Sequence, residues 1–175
     1  MEEYVVFTDL DGTLVDADTY SYEKALPAIK LLKERGVPIV FCTSKTRAEI
    51  EVYRKKLEIN DPFIPENGGA IFIPHGYFDF EYDYTREVDG YNVIEFGTDY
   101  RTLRGVLSTV SSKTGCRIIG FGDMTPEEIS ASCGLSYEDS CLAKLREYDE
   151  AFEIPEDGYC AEMILEEITR LGFSY

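Results

Sequence analysis

The sequence has few basic residues for its length. Seventeen lysines and arginines stand against thirty-four aspartates and glutamates in 175 residues, which leaves a formal net charge of -17 at pH 7. Such a charge repels nucleic acids and anionic membrane surfaces, so neither is an expected partner. A protein of this charge that handles an anionic substrate needs a bound cation or a few local positive groups at its site.

The sequence also lacks the residues of a zinc centre and any long apolar run. It has one histidine, His75, and no C-x-x-C pair. No apolar run reaches the length of a membrane-spanning helix, and the first residues show no secretory signal pattern. An odd number of widely spaced cysteines predicts reduced thiols in a cytoplasmic protein. These cysteines are Cys42, Cys116, Cys133, Cys141 and Cys160.

Strand and helix patterns alternate over the first 76 residues. Apolar runs at 4–9 and 37–42 predict buried strands, and residues 63–65 predict a short third strand. Apolar residues at helical spacing predict helices over 23–35 and 46–57. This alternation predicts right-handed βαβ units, and therefore an α/β fold with a Rossmann-like parallel sheet.

The pattern changes after residue 76. Residues 77–91 are aromatic, acidic and rich in turn-forming residues. We therefore expect two domains, a core over 1–76 and an α+β domain over 77–175 that is inserted into the core or follows it. Within the second domain the expected elements are helices at 99–113 and 158–171 and from the capping box at Thr125, and strands at 91–96, 116–121 and 149–153.

Two aspartates, Asp9 and Asp11, directly follow the first strand in the stretch VVFTDLDGT. Adjacent carboxylates repel each other, and a hard divalent cation such as Mg²⁺ relieves the repulsion. One carboxylate can attack a phosphorus atom, and the other can protonate the leaving alkoxide. Gly12 allows a sharp turn and Thr13 adds a hydroxyl. The alternative is an ordinary exposed turn, but the apolar strand before it and the crossover after it favour catalysis.

Polar side chains also follow the second and third strands. Ser44 precedes a predicted helix, where its hydroxyl can contact a phosphoryl oxygen; the alternative is a plain helix cap by Thr43, Ser44 or Thr46. Lys45 is a candidate for binding an anionic substrate, or else a solvated charge. Asn67 lies in the turn after the third strand. Because parallel strands end at one edge of their sheet, we expect these residues near the two aspartates.

The stretch FTDLDGTLV, followed by FCTSKTRAEIEVYR and DPFIPENGGAIFIPHGYF, resembles the haloacid dehalogenase superfamily of phosphotransferases. SKTRAE and ENGGAIFIP resemble a branch that uses Mg²⁺ to dephosphorylate a small phosphorylated sugar acid and so makes a compatible solute. The resemblance implies that Asp9 is the nucleophile, that Asp11 is the general acid and base, and that Asp9 and the Asp11 carbonyl bind Mg²⁺. It implies that Ser44 contacts the phosphoryl group and that Asn67 and Gly68 lie at the rim of the site, near a cap hinge.

Two further motifs of the superfamily are not found, a charge-balancing lysine and a Gly-Asp-x-x-x-Asp stretch. The stretch GFGDMTPEE, Gly120–Glu128, is interpreted as a strand-to-helix loop and Lys144 as a solvated helix residue. Without the remaining core strands, residues 4–9 are expected to form an exposed apolar edge. Three alternatives follow: a fragment of an enzyme, a chain completed by a second polypeptide, or a non-catalytic homologue that binds a phosphorylated ligand or a partner chain.

Overall fold

The computed structural model describes residues 4–17, 19–154 and 158–175. Contacts divide the chain into two compact units, Met1–Gly97 and Thr98–Tyr175. Among the described residues, no helix has both the length and the apolar character that crossing a membrane requires.

The first unit is a six-stranded mixed sheet with two α-helices. The three strands nearest its N-terminus are parallel, and the remaining strands are antiparallel. The predicted α/β core is therefore confirmed, with an antiparallel extension. The sheet order is β1-β2-β3-β4-β6-β5, with β1 Val6–Thr8, α1 Leu26–Glu34, β2 Ile39–Cys42, α2 Arg47–Leu57, β3 Phe63–Ile64, β4 Ala70–Pro74, β5 Arg86–Val88 and β6 Tyr91–Glu95.

Three buried phenylalanines on neighbouring strands form the centre of this unit. Phe41, Phe63 and Phe72 have no exposed surface, and the rings of Phe63 and Phe72 stack with centroids 5.1 Å apart. The guanidinium of Arg54, from α2, lies 4.7 Å from the Phe63 centroid, which packs the helix onto the sheet. Each such side chain contributes about 1.5–3 kcal/mol of burial, so this layer holds the strands that carry the site.

Strand β1 is the edge of the sheet and presents apolar side chains to solvent. Val5 is 49% exposed and Phe7 is 61% exposed. Within the described part of the chain, β2 is the only strand that pairs with β1. The expectation of an exposed apolar edge at residues 4–9 is therefore confirmed.

Residues 77–97 group with the first unit, whereas the sequence placed its boundary at residue 76. Strand β6 pairs with β4 along five residues, and β5 pairs with β6. Strand β6 was predicted, as residues 91–96, but within the second domain, and β5 lies in the stretch that the sequence pattern left as turn-rich. The division into a core and a cap in the superfamily's sense stays a prediction.

The second unit is an α+β arrangement built on a pair of helices. Leu107 and Val110 of one helix pack against Ile164 and Ile168 of the other. The GFGDM stretch is a strand-to-helix loop, as predicted. The elements are α3 Tyr100–Thr114, β7 Ile119–Gly120, α4 Pro126–Cys133, α5 Tyr137–Ala143, β8 Phe152–Glu153 and α6 Gly158–Arg170, with β7 and β8 antiparallel.

Two predictions for this unit are wrong. Cys116 and Cys160 form a disulfide, with Cα atoms 5.7 Å apart, so the five cysteines are not all reduced. The packing of α3 against α6 brings together two thiols that lie 44 residues apart in the sequence. Lys144 is not a solvated helix residue, because its Nζ donates to the carbonyl oxygens of Phe121, Gly122 and Met124.

Candidate active site

Asp9 and Asp11 lie in a tight turn that follows β1. The N–H groups of Thr13, Leu14 and Val15 all donate to the carbonyl oxygen of Leu10, at 3.2, 3.0 and 2.9 Å. Leu10 and Val15 are buried and anchor the turn, which leaves both carboxylates in solvent. Such a turn needs a left-handed residue, and Gly12 supplies it with φ +68°.

The Asp9 carboxylate is held through one oxygen. Oδ1 accepts a hydrogen bond of 2.7 Å from the backbone N–H of Leu10. In the described part of the chain no donor contacts the other oxygen, Oδ2. An exposed carboxylate fixed in this way has one oxygen available as a nucleophile or a metal ligand.

The loops that follow β2 and β3 are joined by backbone hydrogen bonds. The N–H of Asn67 donates to the Thr43 carbonyl at 3.1 Å, and the N–H of Glu66 donates to the Lys45 carbonyl at 3.0 Å. The structure therefore brings the Ser44 loop and the Asn67 loop together. Gly68, with φ +93°, follows in the same turn.

The helix cap of α2 is Thr46, one of the three caps that the sequence offered, so Ser44 is not the cap and its contact with a phosphoryl oxygen stays a prediction. The Thr46 Oγ1 accepts a hydrogen bond of 3.2 Å from the Glu49 N–H, and Glu49 Oε2 accepts one of 2.9 Å from the Thr46 N–H. This capping box satisfies two of the backbone N–H groups at the start of the helix. Ser44 is exposed, and among the described residues its hydroxyl makes no hydrogen bond.

Lys45 joins the Asp11 turn to helix α2. Its Nζ lies 3.0 Å from Asp11 Oδ2 and 3.2 Å from Glu49 Oε1. The Lys45 and Glu49 side chains are 8% and 6% exposed, whereas the Asp11 side chain is 44% exposed. Both contacts of the ammonium are to carboxylates of this chain, so the structure places Lys45 beside the acids rather than in open solvent.

The pKa of Lys45 reflects this environment. Burial acts to lower the pKa, but the charge of Glu49 and the hydrogen bond to Asp11 outweigh it and raise the pKa to about 12. Lys45 is therefore an ammonium throughout the neutral range. This ion pair was not predicted from the sequence, although the four-residue spacing between Lys45 and Glu49 across the start of α2 could have indicated it.

The oxygen atoms at this site are of a chemical type that Mg²⁺ binds. Mg²⁺ is usually held by one or two carboxylates, several waters and phosphate oxygens. The Asp9 carboxylate and the Asp11 carbonyl are such donors. Among the described residues, no group of three or more histidine, cysteine, aspartate or glutamate side chains could hold a metal ion by itself.

Curated relatives match nearly the whole chain. A glucosyl-3-phosphoglycerate/mannosyl-3-phosphoglycerate phosphatase from Methanococcoides burtonii is 53% identical over 173 residues, which is 99% of this chain and 64% of the relative. A mannosyl-3-phosphoglycerate phosphatase from Pyrococcus horikoshii is 44% identical over 156 residues, which is 89% of this chain and 62% of the relative. The chain thus spans about three fifths of the length of these relatives.

Solved structures share the fold at low sequence identity. A protein of Thermoplasma acidophilum gives a TM-score of 0.63 at 20% identity, over 99% of this chain and 60% of its own. A subclass IIB sugar phosphatase gives a TM-score of 0.57 at 18% identity, over 95% of this chain and 64% of its own.

A family profile described as haloacid dehalogenase-like hydrolase matches residues 6–96. This span includes the two aspartates, Ser44, Lys45 and the Asn67 turn, and it is more than half of the 175 residues. The chain belongs to the haloacid dehalogenase-like hydrolases.

Proposed function

We propose that this chain carries the nucleophile and the general acid of a Mg²⁺-dependent phosphomonoesterase that acts on a hexosyl-3-phosphoglycerate. The observation that supports this most directly is the Asp9–Asp11 turn, in which Asp11 Oδ2 lies 3.0 Å from Nζ of Lys45, the residue that follows the exposed Ser44. The chain is also 53% identical to a glucosyl-3-phosphoglycerate/mannosyl-3-phosphoglycerate phosphatase. The mannosyl compound is our first choice of substrate, because it occurs in the names of both relatives described above.

In the first step, an Asp9 carboxylate oxygen attacks the phosphorus atom. A bond forms between that oxygen and phosphorus while the ester bond to the sugar acid breaks, and Asp11 gives its proton to the departing alkoxide. Water then attacks the aspartyl-phosphate, Asp11 accepts the proton of that water, and inorganic phosphate leaves with Asp9 restored. Bound Mg²⁺ would neutralise the phosphoryl oxygens next to the two acids.

Ser44 and the neighbouring backbone would orient the phosphoryl group. The hydroxyl is exposed at the start of helix α2, where helix N–H groups favour an anion. Asn67 and Gly68 would line the rim of the same site. Because the whole chain has a net charge of -17, the bound cation is needed to bring a phosphate and a carboxylate to this edge.

A second polypeptide remains part of the proposal. Strand β1 ends the sheet, so in the described part of the chain its outer backbone edge is open to pairing with a further strand. Phe7 of β1 and Val5 just before it are 61% and 49% exposed, and a further chain would cover them. Such a chain would supply the charge-balancing lysine and the distal acids that the sequence lacks. We propose a cytoplasmic location for the assembly, although the Cys116–Cys160 disulfide removes the support that reduced cysteines would have given. The non-catalytic alternative is a protein that binds the phosphorylated ligand without hydrolysing it.

The test is phosphate release from mannosyl-3-phosphoglycerate and from glucosyl-3-phosphoglycerate, with Mg²⁺ or with EDTA. We expect Mg²⁺-dependent release that falls by at least about a thousandfold in Asp9→Asn. Glu162→Gln, an exposed change on α6, is the control. Full activity in Asp9→Asn would refute the assignment of the nucleophile.

If the chain alone is inactive, the assay is repeated with the neighbouring reading frame co-expressed. Activity gained in this way supports the two-chain form. Binding of phosphate analogues in the absence of turnover under both conditions would favour the non-catalytic alternative.

A further inference from the structure

Four aromatic residues alternate with three acidic residues in the stretch FDFEYDY, residues 78–84. The ring centroids of residues 78 and 80 are 4.9 Å apart, those of 80 and 82 are 6.3 Å apart, and those of 82 and 84 are 6.3 Å apart. Contacts between rings two residues apart place all four on one side of the segment. We call this feature the aromatic row, formed by Phe78, Phe80, Tyr82 and Tyr84.

The aromatic row is not part of a core. Phe78 is 38% exposed, Phe80 is 60% exposed and Tyr84 is 45% exposed. Two hydroxyls nevertheless tie the row to the sheet strands: Asn92 Nδ2 donates to the Tyr82 hydroxyl at 2.9 Å, and the Tyr84 hydroxyl donates to Glu87 Oε1 at 2.6 Å. Large rings that stay exposed in a contiguous patch are typical of an interaction surface.

The acidic residues between the rings make no ion pair within the described part of the chain. All three, Asp79, Glu81 and Asp83, are exposed. Glu81 and Asp83 line, together with the four rings, an open cavity of about 550 Å³. Carboxylates and the faces of aromatic rings both attract cations, so the chemistry of the surface selects a positively charged partner.

The aromatic row lies away from the candidate active site within the same unit. The adjoining Tyr77 hydroxyl donates to Asp61 Oδ1 at 2.8 Å, and Asp61 Oδ2 accepts the Ile39 N–H at 2.8 Å. Ile39 begins β2, whereas Ser44 follows the end of β2. The row is therefore anchored near the N-terminal end of the parallel strands, whereas Asp9 follows the C-terminal end of β1.

We propose that the aromatic row, with Asp79, Glu81 and Asp83, is a docking surface for an extended basic segment of a partner protein that carries lysine or arginine at alternate positions. Side chains on one face of an extended peptide recur about every 6.6–6.8 Å. This repeat is close to the 6.3 Å between successive rings from residue 80 to residue 84. The rings accept the cationic heads and stems, and the carboxylates pair with their charges.

An apolar or acidic partner fits this surface poorly. An apolar segment would cover three carboxylates without offering them a donor, which costs binding free energy. An acidic segment would be repelled by the same groups and by a net charge of -17. The proposal extends beyond the phosphatase function and does not depend on it.

The test uses a fluorescently labelled synthetic peptide of about eight residues that alternates lysine with serine, the repeat that the surface is expected to match. Its binding to the 175-residue chain is followed by anisotropy at low and at physiological salt. We expect Phe80→Ala to weaken binding about twofold to fivefold. The combined change Asp79→Asn, Glu81→Gln, Asp83→Asn is expected to weaken it about tenfold.

Two controls separate a specific surface from general attraction to an acidic protein. The matched triple Glu127→Gln, Glu162→Gln, Glu166→Gln removes the same number of exposed charges elsewhere and should leave binding unchanged. A peptide of the same composition with its lysines in one block should bind more weakly, because only alternation matches the row. Phe80 is exposed enough that its truncation should leave the circular dichroism spectrum unchanged.

Three outcomes would overturn the proposal. Equal weakening by the two triple variants would show nonspecific attraction to the whole chain. Equal binding of the alternating and block peptides would show that the spacing of the lysines does not matter for binding. Binding of the alternating peptide that is unchanged in Phe80→Ala would remove the aromatic row from the interface.

Discussion

The ion pair that joins Lys45 to Glu49 and Asp11 can be tested by replacing Lys45 with methionine. The change removes a cation whose side chain is 8% exposed and leaves Glu49, at 6% exposure, as a buried charge without a cation. Removing one member of a buried pair typically costs about 3–5 kcal/mol. Glu49 keeps its hydrogen bonds from Thr46, so we expect a loss near the lower end, about 3 kcal/mol.

The structure also predicts how this loss divides between the two carboxylates. Glu49 is buried, and its coupling with Lys45 in a double-mutant cycle with Glu49→Gln should be about 1–3 kcal/mol. Asp11 is 44% exposed and solvent screens its charge, so the corresponding cycle with Asp11→Asn should give about 0.2–1 kcal/mol. Urea unfolding monitored by circular dichroism measures each variant and needs no enzymatic activity.

The matched control is Lys30→Met. Lys30 pairs with Glu34 at 3.8 Å, but both side chains are largely exposed, at 78% and 60%. Its loss should cost no more than about 0.5 kcal/mol. If Lys45→Met destabilises the chain no more than Lys30→Met does, the assignment of a buried ion pair is refuted.

Three further predictions concern separate parts of the chain. The hydrogen bond from Arg104 lowers the pKa of Asp123 from 3.8 to about 2, so its stabilisation is present above pH 3.8 and is lost as the pH falls toward 2. Asp123→Asn should reduce the loss of unfolding free energy as the pH falls through that window. Urea melts at a series of pH values measure this loss, and an unchanged pH dependence would contradict the pairing. Without reductant, the denatured chain should show three reactive thiols, since two of the five cysteines form a disulfide, and all five after reduction. Five thiols in both conditions would rule the bridge out. Gly12→Ala should lower the unfolding free energy by about 1–2 kcal/mol, because alanine is strained at a φ of +68°. The added Cβ would not clash, since the nearest side-chain atom, Ala17 Cβ, is 3.9 Å away. An unchanged midpoint of urea unfolding would contradict the turn.

The first half of the fold could be predicted because its signals are local. Buried strands read as continuous apolar runs, and Thr46 with Glu49 forms a capping box within four residues of sequence. The antiparallel pairing of β4 with β6 was missed, since it joins residues 17 to 25 positions apart in the sequence and no short motif marks such a contact. Helix α5, Tyr137–Ala143, was missed as well, because seven residues give little periodicity.

For the candidate site, the sequence predicted which loops would share one end of the parallel strands, but not the side-chain contacts between them. Asp9, Ser44 and Asn67 could be placed at one edge because each follows a strand of a parallel sheet. The contact between Lys45 and Asp11 depends on the angle at which α2 leaves β2 and on the shape of the turn at Gly12. Neither the angle nor the shape of the turn can be predicted from the spacing of residues in a single sequence.

The class of fold and the family resemblance could be inferred from residue order alone, because apolar periodicity and short motifs such as the one with Asp9 and Asp11 involve residues that are close along the chain. Three features became visible only in the folded chain: the pairing of Lys45 with two carboxylates, the disulfide between Cys116 and Cys160, and the row of rings in residues 78–84. These contacts join separate turns, helices and rings. Their free energies depend on distance and burial, which exist only once the chain is packed.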